Sequence, residues 1–219
     1  MDQGIQYMKE GKIEEAVKYF TEAIENNPKD PVHYINFGNL LLHMKDYERA
    51  IRFYQRATEL DESAATAFYG LGNAYFEQDV YDKAKEYYQK AISLGLEEAD
   101  VYLMLGMTFL YDEQFKLALP YLQRATELNE EDEATLFQYG LALAQTEQLE
   151  AAKDTFEKVL ELEENHSDAH YNLGVISLYH EKVQDALQHF EKAIEIQPDH
   201  MLAANGKSQI EKMLEENDS

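Results

Sequence analysis

Glycine recurs at positions 4, 38, 72, 106, 140 and 174, a spacing of 34 residues held over the chain without an insertion or deletion. Alanine recurs in the same register at 16, 50, 84, 118, 152 and 186. A third column reads Ala23, Ala57, Ala91, Ala125, Val159 and Ala193, and a bulky one reads Phe20, Tyr54, Tyr88, Leu122, Phe156 and Phe190. A strict period of this length constrains the fold more than any composition does. The chain must be built by stacking six copies of one small unit, each burying its apolar face against its neighbours.

Within each copy two stretches carry apolar residues at helical spacing. In the third copy they are Phe68, Leu71, Gly72 and Tyr75, then Tyr81, Ala84, Tyr88 and Ala91. Each repeat is therefore a helix pair. The glycine and alanine columns mark where the helix backbones approach closely, and a larger side chain inserted there typically costs about 1–3 kcal/mol of strain. The 45% hydrophobic and 12% aromatic content supplies the core, and ten glycines with four prolines leave little material for linkers.

With these columns on the page, the chain resembles the tetratricopeptide repeat (TPR) family over nearly its whole length. Two columns depart from the family pattern. The early Trp is replaced by Tyr34, Phe68, Tyr102, Leu136 and His170, and the Pro after the second helix survives as Pro28 and Pro198. The short start, the segment LALPYLQRATELNE and the ending IQPDHMLA are similar to those of small free-standing cytosolic TPR proteins of bacilli. The resemblance implies an all-α, right-handed superhelical solenoid, with residues 1–200 forming six helix-turn-helix repeats and residues 201–219 a capping helix and tail. The first helix of repeat one is shortened, to about Asp2 through Glu10. The final helix is expected to carry Leu202, Ile210 and Leu214 on one side. Asp30, Ser167 and Asp199 suit helix starts. Pro120 falls inside a second helix, where a local kink on the outer face is the expected result.

Several functions are excluded or disfavoured. Acids outnumber Lys and Arg 43 to 19, so clustered cations for phosphate binding are lacking and no nucleic acid is expected as a partner. The same charge repels anionic lipid, and no apolar run is long enough to span a membrane. The absence of cysteine removes disulfides, thiol nucleophiles and thiolate metal sites. Together with the lack of an apolar export segment, it makes the cytoplasm the expected compartment. Gly70-Leu71-Gly72 lacks the third glycine of a nucleotide loop. His166 and His170 straddle a turn, and His170 occupies a core column. No nucleophile and base constellation is present, so neither enzyme activity nor a metal or other cofactor is expected.

The resemblance also implies that ligands lie in a concave groove lined by the first helices. At about 100° per residue, side chains projecting away from the core face of those helices read as Ile35, Asn39 and Leu42, then Tyr69, Asn73 and Phe76, then Leu103, Met107 and Leu110. Repeat five contributes Phe137, Leu141 and Ala144, and repeat six Tyr171, Val175 and Leu178. Widening the stripe adds Asn36, Met104, Gln138 and Asn172, with His43, Tyr111 and Tyr179 further along and Lys9 as its one base. Part of this stripe packs between neighbouring first helices, and the rest is expected to be exposed in repeats four to six. A patch of Met, Tyr and Leu rimmed by amides suits a peptide or partner helix with apolar anchors. The cations of a carboxylate clamp are missing.

The charge is concentrated at the junctions between repeats. Residues 25–32 and the five translations of that window by 34 hold 19 acids against Lys29 alone. One edge is thus acidic, as suits either solubility or a basic partner. The expectation is a protein-binding scaffold or adaptor, a monomer or weak homodimer; the alternatives are chaperone-like holding of a client and homo-oligomerisation through the groove.

Overall fold

A computed structural model describes residues 3–217. Among them are thirteen α-helices and no strand. Six successive pairs, each joined by a short turn, follow in order: α1 (Gln3–Lys9) and α2 (Ile13–Asn26), α3 (Pro31–His43) and α4 (Tyr47–Leu60), α5 (Ala65–Phe76) and α6 (Tyr81–Ser93), α7 (Ala99–Tyr111) and α8 (Phe115–Leu128), α9 (Glu133–Gln145) and α10 (Leu149–Leu162), and α11 (Ser167–Tyr179) and α12 (Val183–Ile196). The last helix, α13, spans Met201–Asn217. No helix among the described residues is long and apolar enough to cross a membrane.

The chain divides into two compact units, residues 1–121 and 122–219, with the division inside α8 one residue after Pro120. Pro120 is exposed, and α8 is assigned as one continuous helix through it. In the first unit each helix packs on the next, and the first helices also meet one another, α1 on α3, α3 on α5 and α5 on α7. In the second unit α9 to α12 likewise pack each on the next, with α13 lying on α12 and α11.

The periodic small residues do what their spacing predicts. All six alanines of the 16 to 186 column are fully buried. Opposite them, rings fill the gap between helices: Phe20, Tyr54, Tyr88 and Phe156 are fully enclosed and Phe190 nearly so, each contributing on the order of 1.5–3 kcal/mol by burial. The periodic glycines face these rings. A Cβ on Gly38 would stand 2.6 Å from Tyr54, on Gly72 2.5 Å from Tyr88, on Gly140 2.7 Å from Phe156 and on Gly174 2.6 Å from Phe190. Gly70, off this column, is also a packing glycine, because a Cβ there would overlap the Tyr54 ring from the preceding repeat.

Three local features differ from the spacing-based expectations. Asp30 caps α3 as expected, accepting from the Val32 N–H at 3.0 Å ahead of Pro31. The caps of α11 and α13, however, are histidines. His166 Nδ1 accepts from the Ala169 N–H at 3.2 Å, and His200 Nδ1 accepts from the Ala203 N–H at 3.1 Å, displacing Ser167 and Asp199 from that role. Each ring then reaches back to the preceding repeat through Nε2, to Glu133 at 3.0 Å and to Asp168 at 3.1 Å. On the capping helix Leu202 is 59% exposed, whereas Ala203, Ile210 and Leu214 face inward. At 100° per residue Ala203 shares a face with Ile210 and Leu202 does not.

The turn joining the two helices of each repeat carries a left-handed residue in register: Gly11, Lys45, Asp79, Glu113, Glu147 and Glu181, with φ between 56° and 71°. Five of the six are charged rather than glycine. Each following N–H caps the first helix, as in Asp46 N–H to Leu41 O at 2.9 Å and Gln148 N–H to Leu143 O at 2.9 Å.

Candidate functional site

In the first unit, helices α3, α5 and α7 lie side by side and enclose a concavity of about 410 Å³. It is lined by Asn39, Leu42, His43, Lys45, Tyr47, Tyr69, Asn73, Glu77 and Met104. Six of the stripe residues named from the sequence therefore stand around one hollow: Asn39, Leu42, His43, Tyr69, Asn73 and Met104. The others divide by environment. Ile35 is buried at 9% exposure and belongs to the core, because it faces the interior side of α3. Asn36, Leu103, Met107 and Leu110 are half-buried. Phe76 and Tyr111 join Tyr81 in a three-ring cluster, with centroids 5.5 Å apart for Phe76 and Tyr111 and 5.9 Å for each ring with Tyr81. Tyr111 is 57% exposed.

The two asparagines are not free amides. Tyr54 Oη donates to Asn39 Oδ1 at 2.7 Å, and Tyr88 Oη donates to Asn73 Oδ1 at 2.8 Å. Both phenols sit in the core, and burial raises their pKa far above the ordinary range. Asn73 also acts on Tyr69, whose phenol is raised by burial and drawn back down by the asparagine. The pairing explains a pattern within the chain. Asparagine follows the periodic glycine only in the two repeats whose bulky position is tyrosine; where that position is Phe or Leu, the residue is Ile5, Met107, Leu141 or Val175. Asn39 and Asn73 satisfy a buried hydroxyl first. Any ligand contact is left to the amide nitrogen of Asn39, which is exposed.

Lys45, Tyr47 and Glu77 were not visible from the stripe. They come from the turn, the second helix and the cap of the first, where helical periodicity does not apply. Lys45 is held over the hollow by its left-handed backbone, φ 60°, so Lys9 is not the single base on this surface. Tyr47 Oη donates to Glu77 Oε2 at 3.1 Å and ties repeat two to repeat three.

In the second unit the same stripe is more occluded at its start. Phe137 lies under the His166 ring at 4.6 Å and against Phe156 at 5.7 Å, and Tyr171 lies under His200 at 5.2 Å and against Phe190 at 5.8 Å. Gln138 and Leu141 are half-buried, as is Asn172, whose amide donates to Asp168 O at 2.8 Å. Exposure rises at the end of α11, with Val175 at 42% and Tyr179 at 73%. The exposed stripe residues are thus Lys9, Asn39 and His43 in repeats one and two, Tyr111 in repeat four and Val175, Leu178 and Tyr179 in repeat six, whereas those of repeat five, expected to be exposed, stay half-buried.

Family models match the chain in series. Models described as tetratricopeptide repeat cover residues 1–30, 19–52, 63–131, 134–166 and 167–200, and one described as TPR repeat covers 38–79. A curated relative, the TPR repeat-containing protein YrrB of Bacillus subtilis (strain 168), is 49% identical over 41 residues, which is 19% of this chain and 20% of that protein's length. Among solved structures, the crystal structure of YrrB, described as a TPR protein with an unusual peptide-binding site, aligns with 50% identity and a TM-score of 0.81 over 86% of this chain and 97% of that one. PilF of Pseudomonas aeruginosa aligns with a TM-score of 0.81 over 94% of both chains at 16% identity, a likeness of fold alone.

Proposed function

The chain belongs to the tetratricopeptide repeat family, and on that premise we propose that it is a non-enzymatic adaptor that grips a segment of another protein on the face formed by its first helices. The reading rests above all on the hollow across α3, α5 and α7, where Leu42, Tyr69 and Met104 offer apolar contact beside the donors of Asn39 and Lys45. A hollow with a few directed polar groups in an apolar lining suits an extended peptide with apolar side chains. Exposed Tyr111, Val175 and Tyr179 offer further anchor sites within their own units. YrrB, with its described peptide-binding site, supports peptide as the ligand class. The net charge of −24 favours segments whose flanks are basic, chiefly by raising the association rate.

Calorimetric titration with peptides bearing paired apolar anchors, with and without Lys or Arg flanks, tests the reading. Met104→Lys and Tyr111→Ala, each verified as folded by thermal melting, are expected to weaken binding by roughly tenfold or more. Basic flanks are expected to strengthen it in low salt and not in high. Binding unaltered by both substitutions would remove this face from consideration, and a mass that grows with protein concentration would assign it to self-association instead.

A further inference from the structure

Beyond the hollow, the same helix faces of the first unit end in rings. Tyr69 and Phe76 stand two turns apart on one face of α5, as do Met104 and Tyr111 on α7. Tyr69 and Met104 line the hollow, whereas Phe76 and Tyr111 meet Tyr81 at the start of α6. Tyr81 lies nearly parallel to Tyr111, at an interplanar angle of 20°, and Phe76 meets Tyr111 edge-on at 77°. The two supporting rings fix the orientation of Tyr111, and more than half of it stays in solvent. Tyr179 occupies the same register in repeat six and is more exposed, but Ala144 and Leu149 take the places of Phe76 and Tyr81 before it.

The surroundings of the rings are anionic. Tyr81 Oη donates to Asp79 Oδ1 at 2.8 Å. Its pKa is raised first by that bond, then by desolvation and by the charges of Asp79 and Asp112. Asp79 and Glu113 are the left-handed residues of the turns after α5 and α7, and both are exposed. Glu77 follows Phe76 and lines the hollow. Of the lysines near these turns, Lys85 is engaged by Asp112 at 2.7 Å and Asp82 at 3.0 Å, and Lys116 is exposed in the first turn of α8.

We propose that Phe76, Tyr81 and Tyr111 form a platform for an arginine side chain of the bound segment, its guanidinium lying on the Tyr111 ring and its N–H groups donating to Asp79 and Glu113. A ring face attracts a cation, and a planar guanidinium stacks and forks to carboxylates at once, which an ammonium does not. An aliphatic anchor would gain from the rings and nothing from the acids. The subsite presupposes a peptide on the first-helix face and adds a spacing to it. Two helical turns place Tyr111 about 10 Å from Met104, a distance that an extended chain covers in about three residues. The arginine therefore belongs about three residues from the apolar side chain seated in the hollow.

Two probes separate the platform from the peptide reading. N-acetylarginine amide, added at millimolar concentration to the full chain and followed by aromatic-proton NMR, is expected to shift the rings of Phe76, Tyr81 and Tyr111 more than its citrulline and lysine analogues do. Tyr111→Leu, which keeps an apolar side chain without a ring, and Asp79→Asn/Glu113→Gln should each reduce that difference, and Tyr179→Leu should not. The second probe is calorimetry with peptides that carry a leucine anchor and an arginine moved stepwise away from it on either side. Citrulline in place of the best-placed arginine should weaken binding roughly three- to tenfold in the unaltered chain and much less in Tyr111→Leu. Equal ring shifts from arginine and citrulline, shifts confined to other rings, or an arginine preference that survives Tyr111→Leu would overturn the platform. Peptides that fail to bind while N-acetylarginine amide still shifts these three rings would overturn the adaptor reading and leave the platform standing.

Discussion

Replacing Asn39 with leucine removes the acceptor that Tyr54 uses and leaves its hydroxyl inside a fully buried residue. An unsatisfied buried hydroxyl costs about 1–3 kcal/mol, since it has lost water without gaining a partner. The reverse change, Tyr54→Phe, leaves the acceptor on Asn39, which is exposed and can turn to solvent, so the loss should be about 0.5–1.5 kcal/mol. The double replacement reproduces the Leu141 and Phe156 combination that repeat five already uses. It should lie close to the unaltered protein, giving a coupling of about 1 kcal/mol or more between the two sites. Urea unfolding of all four proteins, followed by circular dichroism, measures each corner of this cycle. The same cycle on Asn73 and Tyr88 should show a larger penalty for the asparagine change, because Asn73 also acts on Tyr69. Additivity within about 0.3 kcal/mol, or a Tyr54→Phe change costlier than Asn39→Leu, would refute the assignment of these asparagines to the tyrosines.

Two further outcomes can be measured on the same footing. At the left-handed turns a non-glycine residue carries about 1–2 kcal/mol of strain, and glycine returns about half of that gain as unfolded-state entropy, so Glu147→Gly and Glu181→Gly should each stabilise by about 0.5–1 kcal/mol in urea melts. His170 and His189 have folded pKa values below their unfolded values of about 6.5, so the stability they contribute is present above that pH and falls away as pH drops below it. Melts at pH 7.5 and 5.5 should show this loss, and a His170→Phe/His189→Leu protein should show a smaller one.

The architecture was legible because it rests on small side chains. A glycine that must face a ring, or an alanine at a helix crossing, leaves a periodic mark that no surface pressure erases. The candidate site was legible only in part. Asn39 and Asn73 read as groove amides as long as the first helices are considered alone, and their partners lie 15 residues onward in the second helices. Their restriction to the two repeats with tyrosine was the available signal. Lys45 was hidden because a left-handed turn is normally announced by glycine, and here a charged residue adopts it. The histidine caps were missed for a related reason. Imidazole can accept from an N–H through Nδ1, yet Ser167 and Asp199, stronger capping residues, stood next in sequence.

Gly70 bears on how such a chain can change. Repeats of one length and one pattern look interchangeable, as though any could be duplicated or moved. Yet the ring of Tyr54 occupies the space of a side chain at position 70, where the equivalent residues of other repeats are Asn36, Met104, Gln138 and Asn172. At the next junction a tyrosine in the same register, Tyr88, is followed by Met104, so the close approach at Gly70 belongs to this junction and not to every tyrosine repeat. The repeats are thus less interchangeable than their common length suggests: a side chain placed at position 70 meets the Tyr54 ring unless the two helices are respaced.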